Sequence, residues 1–399
     1  MPSYERPIVR LLPKTDPKPF RRGVPWAYAN QLVLDRRTKA IEPGSIATLL
    51  DAERRPLATI GINPGSKIAA RVLDADPEAV IDEAWFRARF HSALALRSRL
   101  YDSPYYRLVH AEGDGLPGVV IDRFGDAAVV QPNAAWAERH WEQLSSALAA
   151  VTSVSVIVKN SSGRTRGLEG LDALSAVVRG RMSGPLDVPM NGAIYKADLL
   201  HGQKTGLFYD QRPNHALAAK LARGGTVLDM FAHVGGFSLA ALAAGAVHAV
   251  AVDASRDALQ LAHDGARKSG VADRFETRHG DAFELLEALG AEGARYDTVI
   301  CDPPAFAPAK TALNAGLRAY ERLARLAAPL VSNGGVLVLC SCSHAVDLEA
   351  FRSASLRGVG RAGRAAQILA TGTAGPDHPQ HPHLAQTGYL KALFLRLLP

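Results

Sequence analysis

Residues 227–253, VLDMFAHVGGFSLAALAAGAVHAVAVD, decide the fold. An apolar run ends in Asp229, the chain turns through Gly235 and Gly236, alanines and leucines continue at helical spacing, and a second apolar run closes on Asp253. Strand, glycine turn, helix and strand make one parallel crossover unit. The pattern repeats downstream. Apolar runs at TVLDMF, AVHAVAVD, RFETRHGD, YDTVICD, GGVLVLCS and LKALFLRLL alternate with helical stretches at 236–244, 255–269, 282–289, 313–332 and 346–355. This alternation predicts an α/β architecture with a Rossmann-like, doubly wound, mostly parallel sheet, whose ligands bind at the carboxyl ends of the strands.

Acidic residues fall at those ends. Asp229 closes the first strand, Asp253 the second, Asp281 the third, and Asp302 follows the fourth in ICDPPAF. One aspartate at a strand end is ordinarily a helix cap or turn former, but four in successive units point to a ligand. A carboxylate at Asp253 can accept hydrogen bonds from both ribose hydroxyls of a nucleoside, and Asp281 is placed to meet an adenine amino group. The first turn reads D-M-F-A-H-V-G-G-F-S and lacks the G-x-G-x-x-G fingerprint that seats a dinucleotide pyrophosphate. An acid within the loop suits a cofactor with a positively charged amine, so S-adenosylmethionine (SAM) fits better than NAD.

The rest of the chain sets the context. A length of 399 residues exceeds one average domain, and 47% hydrophobic with 21% charged residues is ordinary globular composition. No uncharged apolar run approaches membrane-spanning length, and MPSYERPIVRLLPK carries charge and proline where a secretion signal needs an apolar core, so a cytoplasmic protein is expected. Three cysteines cannot form a disulfide framework and are expected to remain thiols. The formal charge is +7, and residues 1–75 hold 13 Lys plus Arg against 7 Asp plus Glu, a local excess of +6 that marks a phosphate-backbone binder. The expected domains are a small β-rich unit over 1–74, a central α+β unit over 75–188 and the parallel-sheet domain over 189–399. Within the first, RRGVPWAYANQL is expected to form a short helical turn whose Trp26 could stack on a base beside Arg21 and Arg22. The central unit has no reactive constellation and is expected to scaffold or dock substrate.

Three segments carry a resemblance to a known family. VLDMFAHVGGFSLAALAAGAVHAVAVD, YDTVICDPPAF and GGVLVLCSCSH, preceded by GQKTGLFYDQR, resemble the motifs of class I SAM-dependent methyltransferases. More narrowly they are similar to the large-subunit ribosomal RNA cytosine-5 methyltransferases that carry an amino-terminal PUA domain, and GLPGVVIDRFGD and the closing DHP…GYLKALFLR extend the likeness over nearly the whole chain. The resemblance implies a PUA-like first domain, a cofactor loop of Asp229, Phe231, Gly235 and Gly236 with Asp253 and Asp281, and a segment holding Phe208, Asp210, Gln211 and Arg212 folded over the methionine end. Asp302 would serve both cofactor and substrate.

The thiols then gain a purpose. Carbon 5 of cytosine is a poor nucleophile until a thiolate adds to carbon 6, which demands a cysteine beside the cofactor. The resemblance aligns Cys342 of CSCSH with the family nucleophile; Cys340 has inward, structural alternatives. Asp302 would hydrogen-bond N3 or the exocyclic amine of the base. Many RNA cytosine-5 methyltransferases carry a cysteine after the proline of the D-P-P motif, whereas here Ala305 follows the proline pair and Cys301 precedes Asp302. D-P-P-aromatic patterns also occur in enzymes that methylate exocyclic nitrogen without a thiol, and this is the alternative reading. A catalytically silent RNA-binding assembly factor is a further alternative, opposed by the intact Asp229, Asp253, Asp302 and Cys342. The expected partner is RNA with its target base unstacked, no membrane is implied, and a homodimer is one candidate oligomeric state. DHPQHPHL raises a zinc site at His378, His381 and His383, but no CxxC pair accompanies it, and its prolines suggest an exposed turn with no metal.

Overall fold

A computed structural model describes residues 6–200, 202 and 206–399. Gln203, Lys204 and Thr205, in the turn expected beside the cofactor, lie outside the described residues. The chain forms two compact units, one running to Gly184 and taking back segments 199–206 and 376–387, the other formed by 185–198, 207–375 and 388–399.

The first unit carries two five-stranded sheets, each with its own apolar cluster. The first runs in the order Ile8–Arg10, Ser45–Leu50, Pro56–Ile62, Ala70–Asp74 and Trp26–Ala27, around Val9, Leu49, Ile60 and Ile62. Trp26 therefore lies on a short edge strand and not in a helical turn; the helical turns flank it at Lys18–Arg21 and Ala29–Gln31. Val24-Pro25 breaks the helix, because proline disfavours helical geometry in the residue before it. The second sheet, Tyr105–His110 to Ala176–Arg179, packs on helix Glu83–Leu100, whose first turn is capped by Asp82 accepting from Trp85 N at 2.9 Å.

The basic stretch SSGRTRGLEGL turns inward. Arg166, 1% exposed, donates to Glu138 Oε2 at 3.0 Å and to Asp172 O at 2.8 Å. Glu169, also buried, gathers the first sheet: Arg71 Nη1 lies 3.0 Å from Oε1, Ser66 Oγ donates to Oε1 at 2.8 Å, and Asn63 Nδ2 donates to Oε2 at 3.1 Å. The segment 376–387 returns to this unit as well, and Asp377 and His378 are buried in it. Arg97 donates to Asp377 O at 2.8 Å, and Asp377 Oδ2 accepts from Arg107 N at 3.0 Å. DHPQHPHL is thus not an exposed turn throughout: its first two residues are consumed by a buried ionic network, whereas His383 stays exposed.

The second unit is built on a seven-stranded sheet. In chain order its strands are β1 (Thr226–Met230), β2 (His248–Asp253), β3 (Phe275–His279), β4 (Tyr296–Cys301), β5 (Val331–Ser341), β6 (Ala366–Gly372) and β7 (Lys391–Leu397). They lie in the order β3-β2-β1-β4-β5-β7-β6, the first five parallel and β7 antiparallel to both neighbours. The helices are α1 (Arg212–Leu221), α2 (Gly236–Ala243), α3 (Arg256–Lys268), α4 (Ala282–Ala291), α5 (Leu313–Ala327) and α6 (Leu348–Arg361). The sequence showed six of the seven strands. β6 is an edge strand with Ile368 and Leu369 exposed, so it has no buried face to impose an alternating pattern. The helix expected over 313–332 stops at Ala327, because Pro329 and the buried Leu330 lead directly into β5.

Glu169→Ala is expected to lower stability by about 3–5 kcal/mol, since it strands the Arg71 guanidinium, the Ser66 hydroxyl and the Ala135 N–H in the interior. Urea unfolding measures this; a loss below about 1 kcal/mol would contradict a structural role for the carboxylate.

Candidate functional site

Strand order brings the acids together. Because β1 lies between β2 and β4, with β5 beyond β4, the carboxyl edge presents Asp281, Asp253, Asp229, Asp302 and Cys342 in that spatial order. The sheet reverses direction of growth at β1 and β4, where ligands of such sheets bind.

Asp229 is fully buried. Its Oδ2 accepts from Ser238 N at 3.0 Å and Ser238 Oγ at 2.6 Å, in the first turn of α2, while Oδ1 is buried with no partner among the described residues. Burial, reinforced by Asp253, raises its carboxyl to about 7. The loop that follows approaches closely. Phe231 and His233 both adopt the left-handed region, with φ of 64° and 51°, and Gly235 follows at 79°. A Cβ on Gly236 would lie 2.7 Å from the His215 ring, so only glycine fits there. Asp253 ties this loop to the end of β2: Oδ2 accepts from His233 N and Oδ1 from Ser255 N, each at 2.8 Å. Asp281 caps α4, its Oδ1 accepting from Phe283 N at 2.9 Å and Glu284 N at 3.1 Å, and its side chain is exposed.

The lid segment expected from the sequence lies in the same unit. Phe208 packs edge-on to His233 with ring centroids 5.0 Å apart, beside the β1 loop. Asp210 accepts from Tyr389 Oη at 2.6 Å, Gln211 accepts from Asn214 at 2.6 Å through Oε1, and Arg212 opens α1. A buried acceptor at Asp229 beside the glycine cradle of Gly235 and Gly236 fits a cofactor with an ammonium, as SAM has.

The D-P-P and C-S-C-S segments meet. Asp302 N donates to Met230 O at 3.3 Å, tying β4 to β1, and Phe306 packs on Tyr320 with centroids 4.9 Å apart. Ser343 Oγ accepts from Ala307 N at 3.0 Å and lies 2.8 Å from Tyr320 Oη, to which Ser341 donates at 2.9 Å. The serines face inward, so Cys342 faces the other way: it is half-buried, with Sγ 4.0 Å from Pro303 O. Cys301 and Cys340 are buried, and burial pushes both thiols above their ordinary range. Only Cys342 is accessible. Among the described residues no group of three His, Cys, Asp or Glu side chains could hold a metal, and no helix is long and apolar enough to cross a membrane. Ser238, Tyr320 and Lys391 had no sequence signal as site residues; each is an ordinary surface or core residue until the fold assigns its neighbours.

Of the basic first-domain residues, Arg21 pairs with Asp51 at 3.1 Å and Arg22 is exposed, whereas the Trp26 indole donates to Glu112 at 2.9 Å.

The geometry defines a nucleotide-cofactor α/β enzyme with an accessible strand-end thiol. Residues 114–396 match the family described as S-adenosylmethionine-dependent methyltransferase, and residues 9–75 match a PUA-like domain. The chain belongs to that methyltransferase family, and SAM is its cofactor. It is 34% identical over 408 residues, covering 99% of both chains, to a ribosomal RNA large subunit methyltransferase of Deinococcus radiodurans. It is 31% identical over 385 residues to ribosomal RNA large subunit methyltransferase I of Pseudoalteromonas translucida, covering 95% of this chain and 97% of the relative. A solved structure from Streptococcus mutans, named as a SAM-dependent methyltransferase, shares the fold with a TM-score of 0.81 at 19% identity, covering 98% of this chain and all of that one.

Because Asp229 ionises only near pH 7, cofactor affinity is expected to rise about tenfold per pH unit below 7 and level off above it, as the neutral carboxyl has no attraction for the cofactor ammonium. Calorimetry of SAM between pH 5.5 and 8 reads this, and Asp229→Asn should flatten it. A flat profile in the native protein would count against Asp229 as the group that meets the amine.

Proposed function

We propose that this protein forms 5-methylcytosine in large-subunit ribosomal RNA through a covalent adduct on Cys342. The observation that carries the reading is the accessible Cys342 sulfur beside the Pro303 carbonyl, at the edge where the acids converge. The named activity of its relatives and the PUA-like domain support an RNA substrate. Asp229, the glycine cradle, Asp253, Asp281 and the segment from Phe208 to Arg212 hold the cofactor, which when bound supplies an electrophilic methyl group.

The chain's own residues do the rest. Cys342 adds as thiolate to carbon 6, and the displaced carbon 5–carbon 6 pair makes carbon 5 nucleophilic. Asp302 hydrogen-bonds N3 or the exocyclic amine and stabilises the charge that develops there. After methylation, loss of the carbon 5 proton to a base returns its bond pair to the ring and expels the thiolate. Exposed basic residues of the first domain, Arg22 and Arg21 with Trp26 at its edge, position the RNA backbone, while base identity is read at the sheet edge.

Cys342→Ala is expected to lower methylation by at least about a thousandfold while leaving SAM affinity within about twofold. Mass spectrometry of the nucleosides identifies the product. Full activity in the variant, or a methyl group on the exocyclic nitrogen, would instead favour the thiol-free D-P-P reading. Arg22→Ala should weaken RNA binding and reduce the salt dependence by about one counterion. Filter binding across salt concentrations measures that slope, and an unchanged slope would remove Arg22 from the interface.

A further inference from the structure

Lys391, the first residue of β7, is 7% exposed, which is rare for lysine. Its Nζ donates to Ser343 O at 2.8 Å and to Val346 O at 2.7 Å, and no carboxylate reaches it at ion-pair distance among the described residues. Two neutral carbonyls satisfy two of its three N–H bonds, and Cys342 and Asp347 are the groups whose negative charge favours the ammonium. Both carbonyls belong to the turn that begins at Cys342. A buried lysine bonded to the turn that carries an accessible thiol, with no carboxylate at ion-pair distance among the described residues, is placed to favour an anion on that sulfur.

We propose that Lys391 is a positioning residue for Cys342: it fixes the 343–346 turn and supplies the positive charge that favours the thiolate over the thiol. This rests on the reading of Cys342 as nucleophile. The thiol proton leaves to water, and the sulfur lone pair freed by its departure is the pair that bonds carbon 6. His344 lies in the same turn, its ring packed on Tyr389 with centroids 5.3 Å apart. Tyr320 on α5 and Cys340 on β5 are both pushed upward by burial, Asp302 after β4 raises Cys340 further, and Asp347 before α6 favours the lysine charge. Burial pulls the Lys391 ammonium down while Cys342 and then Asp347 hold it up, so the charged lysine and the thiolate favour each other.

The test is the pH dependence of Cys342 alkylation by iodoacetamide in the full-length protein without RNA, with Cys342→Ser giving the background from the two buried thiols. The native midpoint should fall below about 8.5, the value of a free cysteine. Lys391→Gln keeps a donor for the carbonyls but removes the charge, and should move the midpoint up by about one pH unit. The acidic limb of kcat/KM should move with it, with a loss of about tenfold at pH 7, and Lys391→Arg should restore part of both. Thermal unfolding and SAM binding verify that the variants are folded. A native midpoint at or above the free value, or an unchanged midpoint in folded Lys391→Gln, overturns the proposal, and the native measurement decides alone if the variant does not fold. These outcomes need no RNA, so they are distinguishable from failure of the cytosine reading, which shows in the methylated product.

Discussion

At the end of β5 the side chains divide between two environments, and the site depends on that division. Ser341 and Ser343 turn toward α5, where the Tyr320 hydroxyl lies within hydrogen-bond distance of both. Strand geometry then leaves Cys342 on the opposite side. The same Ser343 hydroxyl accepts from Ala307 N, so the D-P-P-A-F loop and the turn that begins at Cys342 are anchored on one buried hydroxyl cluster. Hydroxyls shared in this way are satisfied only in one arrangement, which gives the turn a fixed shape.

A second constraint acts at β1. The carboxylate of Asp229 sits in the interior with one oxygen bonded to Ser238 and the other without a partner among the described residues, and the backbone beyond it occupies the left-handed region at Phe231, His233 and Gly235. Such backbone and such burial oppose stability in the free protein. Their retention is intelligible if a cofactor completes the hydrogen bonds. The surrounding core, with β1, β2, β4 and β5 buried along most of their length, supplies the stability against which this local cost is set.

Much of this was legible in the sequence. The parallel core announces itself because buried strands such as VLDMF and GGVLVLCS are continuously apolar and each ends in a turn or an acid. Cys342 was singled out by the resemblance of CSCSH to a family motif, and the fold places it at the end of β5. What was not legible depended on three-dimensional neighbours. β6 has little buried surface, so Ile368 and Leu369 gave no period. Trp26 reads as a free aromatic beside arginines, but the structure uses its indole N–H on Glu112. Arg166 and Glu169 read as a basic, glycine-rich surface loop and are instead buried, because each finds an opposite charge contributed by a distant part of the chain. Lys391 within YLKALFLRLL reads as the solvated member of a strand, and only the turn after Cys342 explains why it is inside.

The central claim is that a sulfur–carbon bond forms between Cys342 and the target cytosine. Ribosomal RNA made with 5-fluorocytidine tests it most directly, because fluorine cannot leave carbon 5 as the proton does, and the adduct cannot resolve after methyl transfer. Incubation with enzyme and SAM should give an RNA–protein conjugate stable to denaturation, and peptide mass spectrometry should place the nucleotide on Cys342. Turnover of the fluorinated RNA without a conjugate, or a conjugate on a different residue, would contradict the account.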